Sequence, residues 1–221
     1  MMDTDLRKTF DSSLKELKLL MIEMFNQVDD LYNKMFKALK SMDTQVAKEI
    51  IEDDRVINQL ESNINDMSYL IILRQCPVAK DLRFILTAIK IANDLERIAD
   101  YATNSAMFIL KTVNPKSAYN DEILRYEPLL MTMLNLIKIA YDELNLSNAI
   151  ETCEKDNDID ALYQQQLVDF IHVAKSKTNS EAEEASRALL VIKQLERAGD
   201  HITNIAEHII YLVKGTSVDL N

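Results

Sequence analysis

The sequence predicts an all-α protein built as two tandem three-helix bundles that are related by an internal pseudo-two-fold repeat. Its 221 residues include only two glycines and three prolines, too few for the many turns of a sheet protein. Apolar residues recur every three or four positions along nearly the whole chain, which is the spacing of amphipathic helices. A segment near residue 100 also recurs one hundred residues later, and this predicts two similar halves.

Six long helices follow from the apolar spacing and from the breaks between the periodic stretches. They are predicted at 6–40, 44–74 and 77–112 in the first half, and at 120–146, 147–177 and 180–214 in the second. Ser180 and Glu183 have the spacing of a capping box at the start of the last helix. Pro128 falls inside the fourth helix, which must therefore either begin near Glu127 or kink there.

The boundary between the two halves of the chain is predicted at the break formed by Asn114 and Pro115. Each side of this break holds three predicted helices, enough for one antiparallel bundle with one apolar stripe per helix. The predicted domains are therefore 1–114 and 115–221.

The repeated segment reads Leu-Glu-Arg-x-x-Asp-x-x-Thr-Asn in both copies. At about 100° per residue, its Glu, Asp and final Asn share less than a quarter of the helix surface, opposite the apolar stripe. These residues are Glu96, Asp100 and Asn104 in the first half and Glu196, Asp200 and Asn204 in the second. A solvated face needs only polarity, so the same residue types at the same places twice indicate a further role.

The middle helix of each half carries a second acidic pair. Asp54 and Asn58 in the first half match Asp156 and Asp160 in the second. If the middle and last helices of a half pack together, four oxygen-bearing side chains meet, and a bound cation relieves their repulsion. Oxygen ligands favour magnesium, calcium, manganese or iron, and His201 could add a nitrogen. The alternative is two acidic faces that never meet.

The first half has fewer acidic groups than the second at these positions. Asn58 is neutral, and Met107 stands where the second copy has Glu207. We therefore expect stronger metal binding by the second half, with a larger loss in an Asp200→Asn variant than in an Asp100→Asn variant.

The charge balance and the hydropathy pattern exclude some classes of function. A formal charge of −11, from 36 acidic and 25 basic residues, disfavours nucleic acid as a partner. No apolar run reaches the ~20 residues of a membrane span, and the first residues lack the apolar region of a signal peptide. Cys76 and Cys153 are isolated, as expected in a reducing compartment. We expect a cytoplasmic protein.

Several segments together resemble the PhoU family of phosphate-uptake regulators. They are Arg-Gln-Cys-Pro-Val-Ala-Lys-Asp-Leu-Arg at 74–83, Asp-Leu-Glu-Arg-Ile-Ala-Asp at 94–100, Gln-Leu-Glu-Arg-Ala-Gly-Asp at 194–200, and the ending at 209–215. The resemblance implies two related three-helix bundles. It also implies a cytoplasmic adaptor, not an enzyme, that dampens the phosphate-starvation response by linking the ATPase subunit of the Pst phosphate transporter to a sensor histidine kinase. Such a protein would meet the membrane only through those complexes, and it could be a homodimer.

The resemblance further implies multinuclear metal clusters of iron, zinc, nickel or magnesium, bound by Glu/Asp-x-x-x-Asp motifs on the bundle surfaces. Carried over to this sequence, the motifs fall on Glu96 with Asp100, on Asp156 with Asp160 and on Glu196 with Asp200, while Asp54 has Asn58 as its partner. Asn104 and Asn204 are additional candidate ligands.

Two other classes of protein compete with this interpretation. A ferritin-like enzyme with a carboxylate-bridged di-metal centre would need Glu-x-x-His pairs that point into a four-helix core, and neither half contains such a pair. A helical interaction protein without metal would leave the acidic residues simply solvated, and elemental analysis distinguishes it. Direct phosphate binding is disfavoured, because there is no glycine-rich loop or dense basic cluster.

Overall fold

The structure, a computed structural model, describes residues 2–112, 119–176 and 178–215, and these ranges contain helices and no strand. The helices are α1 (Met2–Ser41), α2 (Thr44–Gln75), α3 (Ala79–Lys111), α4 (Tyr119–Leu124), α5 (Glu127–Glu143), α6 (Leu146–Ser176) and α7 (Asn179–Lys214). The predicted all-α class is confirmed. The boundary placed between residues 114 and 115 lies outside the described residues and stays a prediction.

The fourth predicted helix is interrupted, and of the two alternatives for Pro128 the structure shows the one in which a helix begins at Glu127. The short helix α4 ends at Leu124, and α5 begins at Glu127 with Pro128 in its first turn. A first-turn proline removes no helical hydrogen bond, because the backbone N–H groups there have no partner within the helix. The break therefore lies where the proline is tolerated, and the backbone N–H of Leu130 bonds the Tyr126 carbonyl at 2.9 Å.

The last helix begins earlier than predicted. Thr178 is its N-cap, and its hydroxyl accepts a bond from the Glu181 backbone N–H while the Glu181 carboxylate accepts one from the Thr178 N–H at 3.2 Å. The capping box assigned to Ser180 and Glu183 is therefore wrong. Both pairs have the Ser/Thr-x-x-Glu spacing, and the earlier one lengthens the helix.

Helices α1, α2 and α3 pack on one another as the first bundle, and α5, α6 and α7 pack as the second. The bundles join where α3 packs on α7 and α1 on α5, for example through the Phe25 and Tyr141 rings, whose centroids are 5.2 Å apart. Burial of a large apolar side chain contributes about 1.5–3 kcal/mol, so the fully buried stripe residues hold both bundles together.

The packing of α3 on α7, called here the seam, is antiparallel along both helices. At one end the Arg83 guanidinium of α3 lies over the Tyr211 ring of α7, 5.5 Å from its centroid. At the other end Arg187 of α7 donates to the Lys111 carbonyl of α3 at 3.2 Å. No described helix is long and apolar enough to cross a bilayer.

Candidate metal centre

Three carboxylates converge where α6 packs on α7 in the second bundle. An oxygen from each of Asp160, Glu196 and Asp200 lies within 4.8 Å of the other two. Glu196 is buried, while Asp160 and Asp200 reach the surface. Three negative groups this close repel one another unless a proton or a cation neutralises them.

Asp156 adds a fourth acid one turn earlier on α6. Its side chain is 8% exposed, and its Oδ1 accepts no hydrogen bond from any described residue. Its pKa is raised from 3.8 to about 6, chiefly by burial and also by the charges of Asp160, Asp200 and Glu196, against the Thr203 hydroxyl, which lowers it. A buried oxygen without a donor beside three carboxylates fits a cation that prefers oxygen ligands.

Gly199 permits the close approach of α6 and α7 at this point. A Cβ atom on Gly199 would lie 2.8 Å from Asp156 Oδ1 and 3.1 Å from Ile159 Cδ1. The first half has Ala99 at the matching position. Gly199 therefore allows α7 to lie close against α6, the helix that carries Asp156.

Lys193 neutralises part of the cluster and was missed from the sequence. Its Nζ lies 2.6 Å from both carboxylate oxygens of Glu196 and 4.7 Å from the centroid of the Tyr163 ring. The matching residue of the first half is Asn93, so the repeat gave no signal for it. The spacing of three residues from Glu196 on one helix was the available clue.

In the first bundle the matching residues of α2 and α3 also lie together. Asp54 accepts hydrogen bonds there, whereas Oδ1 of its counterpart Asp156 accepts none from the described residues. Asn58 donates to Asp54 at 3.0 Å, and the Thr103 hydroxyl donates to Asp54 at 3.3 Å. Burial raises the pKa of Asp54, and the Asp100 charge adds to this rise. Burial also raises the pKa of Glu96, again with a contribution from Asp100.

Arg97 supplies a positive charge from the protein itself to this first cluster. Its guanidinium lies 3.4 Å from Glu96 and 3.0 Å from Asp100. Glu61, a residue that the sequence analysis missed, adds to the rise of the Glu96 pKa. Among the described acids, cysteines and histidines, only the second-half group has three ligand atoms within 4.8 Å of one another.

The two asparagines extend the acidic rows by one helical turn. Asn104 is exposed and lines an open groove between α3 and α7. Asn204 is half-buried on α7. Their assignment as metal ligands stays a prediction.

His201 belongs to the seam rather than to the acidic cluster. Its Nδ1 lies 2.8 Å from the Asp94 carboxylate of α3, and its Nε2 lies 3.4 Å from the Tyr101 hydroxyl. His208 Nε2 lies 3.3 Å from the other Asp94 oxygen. Both ring nitrogens of His201 therefore face the first bundle, and its suggested role as a nitrogen ligand is wrong.

Comparison with known proteins agrees with this architecture. The PhoU domain family model matches the chain twice, at residues 21–109 and 123–209. A relative from Clostridium acetobutylicum, named phosphate-specific transport system accessory protein PhoU homolog, is 35% identical over 97% of this chain and 99% of its own length. A relative of the same name from Streptococcus pneumoniae is 32% identical over 98% of this chain and 100% of its own length.

Two solved structures are similar in both fold and sequence. The phosphate transport system regulatory protein PhoU from Streptococcus pneumoniae has a TM-score of 0.87 and 30% identity, covering 95% of this chain and 99% of that one. PhoU from Pseudomonas aeruginosa has a TM-score of 0.88 and 28% identity, covering 94% of this chain and 100% of that one. The chain belongs to the PhoU family, whose curated members matched here are accessory proteins of phosphate-specific transport.

Proposed function

We propose that this chain is a metal-binding adaptor that restrains phosphate uptake and the phosphate-starvation response. In this role it links the ATPase subunit of a phosphate transporter to a sensor histidine kinase, on the cytoplasmic side of the membrane and without catalysis of its own. The proposal rests on membership of a family of transport accessory proteins together with one observation, the convergence of Asp160, Glu196 and Asp200 beside the buried Asp156.

The residues of the second bundle would hold the metal. Asp156 and Asp160 of α6 and Glu196 and Asp200 of α7 supply oxygen ligands, and a bound cation would neutralise charges that otherwise repel. In this chain α6 and α7 pack closely at Gly199. A metal ion bound by residues of both helices would therefore fix the position of one helix relative to the other. Magnesium, manganese, iron, zinc and nickel are the candidates.

The first bundle offers a weaker site in this proposal. Arg97 already pairs with Glu96 and Asp100, and Asn58 already donates to Asp54. A cation entering there would compete with that arginine, as one entering the second cluster would compete with Lys193, but it would find one carboxylate fewer, because Asn58 stands where the second bundle has Asp160. We therefore assign the principal site to the second bundle.

Two measurements on untagged protein, purified without chelators, test the proposal. Elemental analysis is expected to find metal at a fixed ratio to protein; metal-free protein that takes up none of the candidate ions would support a metal-free interaction protein instead. Binding to the purified transporter ATPase subunit and to the cytoplasmic part of the sensor kinase from the same organism is expected for both partners. Failure to bind either one, with or without metal, contradicts the adaptor role.

A further inference from the structure

An open groove of about 650 Å³ lies at one end of the seam. Its α3 wall is formed by Asn104, Met107, Phe108 and Lys111, and its α7 wall by Arg187, Leu190, Val191 and Gln194. On each helix these residues are spaced i, i+3, i+4 and i+7, so each wall is one straight face about two turns, or ~10 Å, long. The groove is therefore linear and follows the helix axes.

The repeat shows that the groove is a specific feature of this end of the seam. The matching positions at the other end include Asp94, His208 and Tyr211. There His208 bonds Asp94 across the seam at 3.3 Å, and Tyr211 carries the Arg83 guanidinium over its ring. One end is thus bridged by Asp94, His208 and Tyr211, while the related end has apolar walls along an open groove and is crossed by Arg187 at its outer end, where Arg187 donates to the Lys111 carbonyl.

The groove leaves apolar and polar groups without the partners that such groups usually have. Leu190 is 66% exposed and Met107 is 36% exposed, above the buried walls of Phe108 and Val191. Gln194 Oε1 is buried and accepts no hydrogen bond from any described residue. A ligand that covers this groove would bury the two apolar side chains and donate a hydrogen bond to Gln194.

The two ends of the groove differ in charge. Lys111 and Arg187 are exposed at its outer end, and Arg187 already pairs with Glu183. Lys111 forms no ion pair with any residue in the described ranges. In a chain of net charge −11, this cationic end selects an acidic group on whatever binds, while the amides of Asn104 and Gln194 lie at the inner end.

We propose that the groove docks a short amphipathic helix of a partner protein, with apolar residues against Met107 and Leu190 and an Asp or Glu against Lys111. A third helix that lies between two antiparallel helices repeats the packing inside each bundle, and helix-in-groove binding uses the same i, i+3, i+4 spacing. This inference rests on the proposed adaptor function, because it names the surface that one of the two partners uses.

The test measures affinity for the transporter ATPase subunit and for the cytoplasmic part of the sensor kinase, each titrated against four variants. Leu190→Asp and Lys111→Glu change the groove. Leu19→Asp and Lys15→Glu make the same changes at exposed positions of α1. We expect both groove variants to weaken the binding of one partner, the same one for both variants, at least tenfold. The affinities of the α1 variants should stay within twofold of that of the unmodified protein. Circular dichroism and size-exclusion chromatography with light scattering check folding and oligomeric state.

Each remaining outcome overturns the inference in a recognisable way. If the unmodified protein binds a partner and both groove variants bind it equally well, the groove is not the docking surface, while the adaptor function stands. Loss in Leu190→Asp alone indicates an uncharged apolar occupant. A dimer that dissociates in Leu190→Asp assigns the groove to a second copy of the chain. If the unmodified protein binds neither partner, the proposed function itself fails and this inference fails with it.

A photo-crosslink gives an independent readout of the occupant. Benzoylphenylalanine in place of Leu190 is expected to crosslink to a helical segment of the bound partner that has an acidic residue within two turns of the crosslinked position. A crosslink to a loop or a strand would contradict helix docking.

Discussion

Replacing Asp156 with asparagine should stabilise the metal-free protein at neutral pH, although it removes a candidate metal ligand. The reason is the pKa of Asp156, which burial and three neighbouring carboxylates raise from 3.8 to about 6. A difference of that size corresponds to about 3 kcal/mol of unfavourable free energy for the charged form in the folded state. The asparagine avoids most of this cost, and we expect a gain of about 2 kcal/mol at pH 8.

The sign of the pH dependence follows from the same difference. Between about pH 4 and pH 6 the folded state holds a proton on Asp156 that the unfolded state has lost, so stability falls as pH rises through this window. Above pH 6 the full penalty is present. The advantage of the Asp156→Asn variant should therefore be largest above pH 6 and should shrink towards zero near pH 4.

The assay is urea unfolding in the presence of a chelator, followed by circular dichroism from pH 4.5 to pH 8. Asp158→Asn is the matched control, because Asp158 is exposed on the same helix outside the cluster. Added metal should reverse the order, since a bound ligand stabilises the unmodified protein more than the variant that binds it less well. A variant that is no more stable than the unmodified protein at pH 8, or whose advantage does not change with pH, would refute the reasoning.

Two further substitutions probe the same cluster. Gly199→Ala should lower the free energy of unfolding by about 1–2 kcal/mol. The new Cβ presses on Asp156 and Ile159, and the cost of this overpacking exceeds the ~1 kcal/mol gained in helix propensity. A raised melting temperature would contradict the close packing. Lys193→Met should lower the stability of the metal-free protein and strengthen metal binding several-fold. The reason is that Glu196 loses its only salt-bridge partner among the described residues. Unchanged or weaker metal affinity would show that Lys193 does not compete with the cation.

Much of the fold was predictable because it depends on local spacing. The three- and four-residue apolar periodicity marks each helix, and a chain with two glycines has few places to turn. Pro128 was compatible with two interpretations, since a first-turn position and a mid-helix kink differ only in where the helix begins. Thr178 and Ser180 likewise both have a glutamate three residues later, so spacing alone could not identify the cap.

The site was predictable to the extent that the repeat encodes it. Asp156, Asp160, Glu196 and Asp200 were found because their positions match acids or amides in the other half. Their convergence also requires α6 and α7 to pack closely, which the absence of a side chain at Gly199 allows.

Contacts between the bundles were not predictable, because the apolar stripes do not specify how two bundles face each other. Asp94 and His201 are 107 residues apart and meet only through the seam. Lys193 has no counterpart in the first half, so a search for repeated residues passes over it. The groove beside Leu190 also depends on how α3 and α7 pack, which no local spacing describes.

The central claim is that acids of α6 and α7 share a cation in the second bundle. Calorimetric titration of manganese or zinc into chelator-treated protein tests it most directly, with Asp200→Asn set against its repeat counterpart Asp100→Asn. We expect Asp200→Asn to lose the tightest binding step and Asp100→Asn to keep it within about twofold. Equal affinities in all three proteins, or a larger loss in Asp100→Asn, would contradict it.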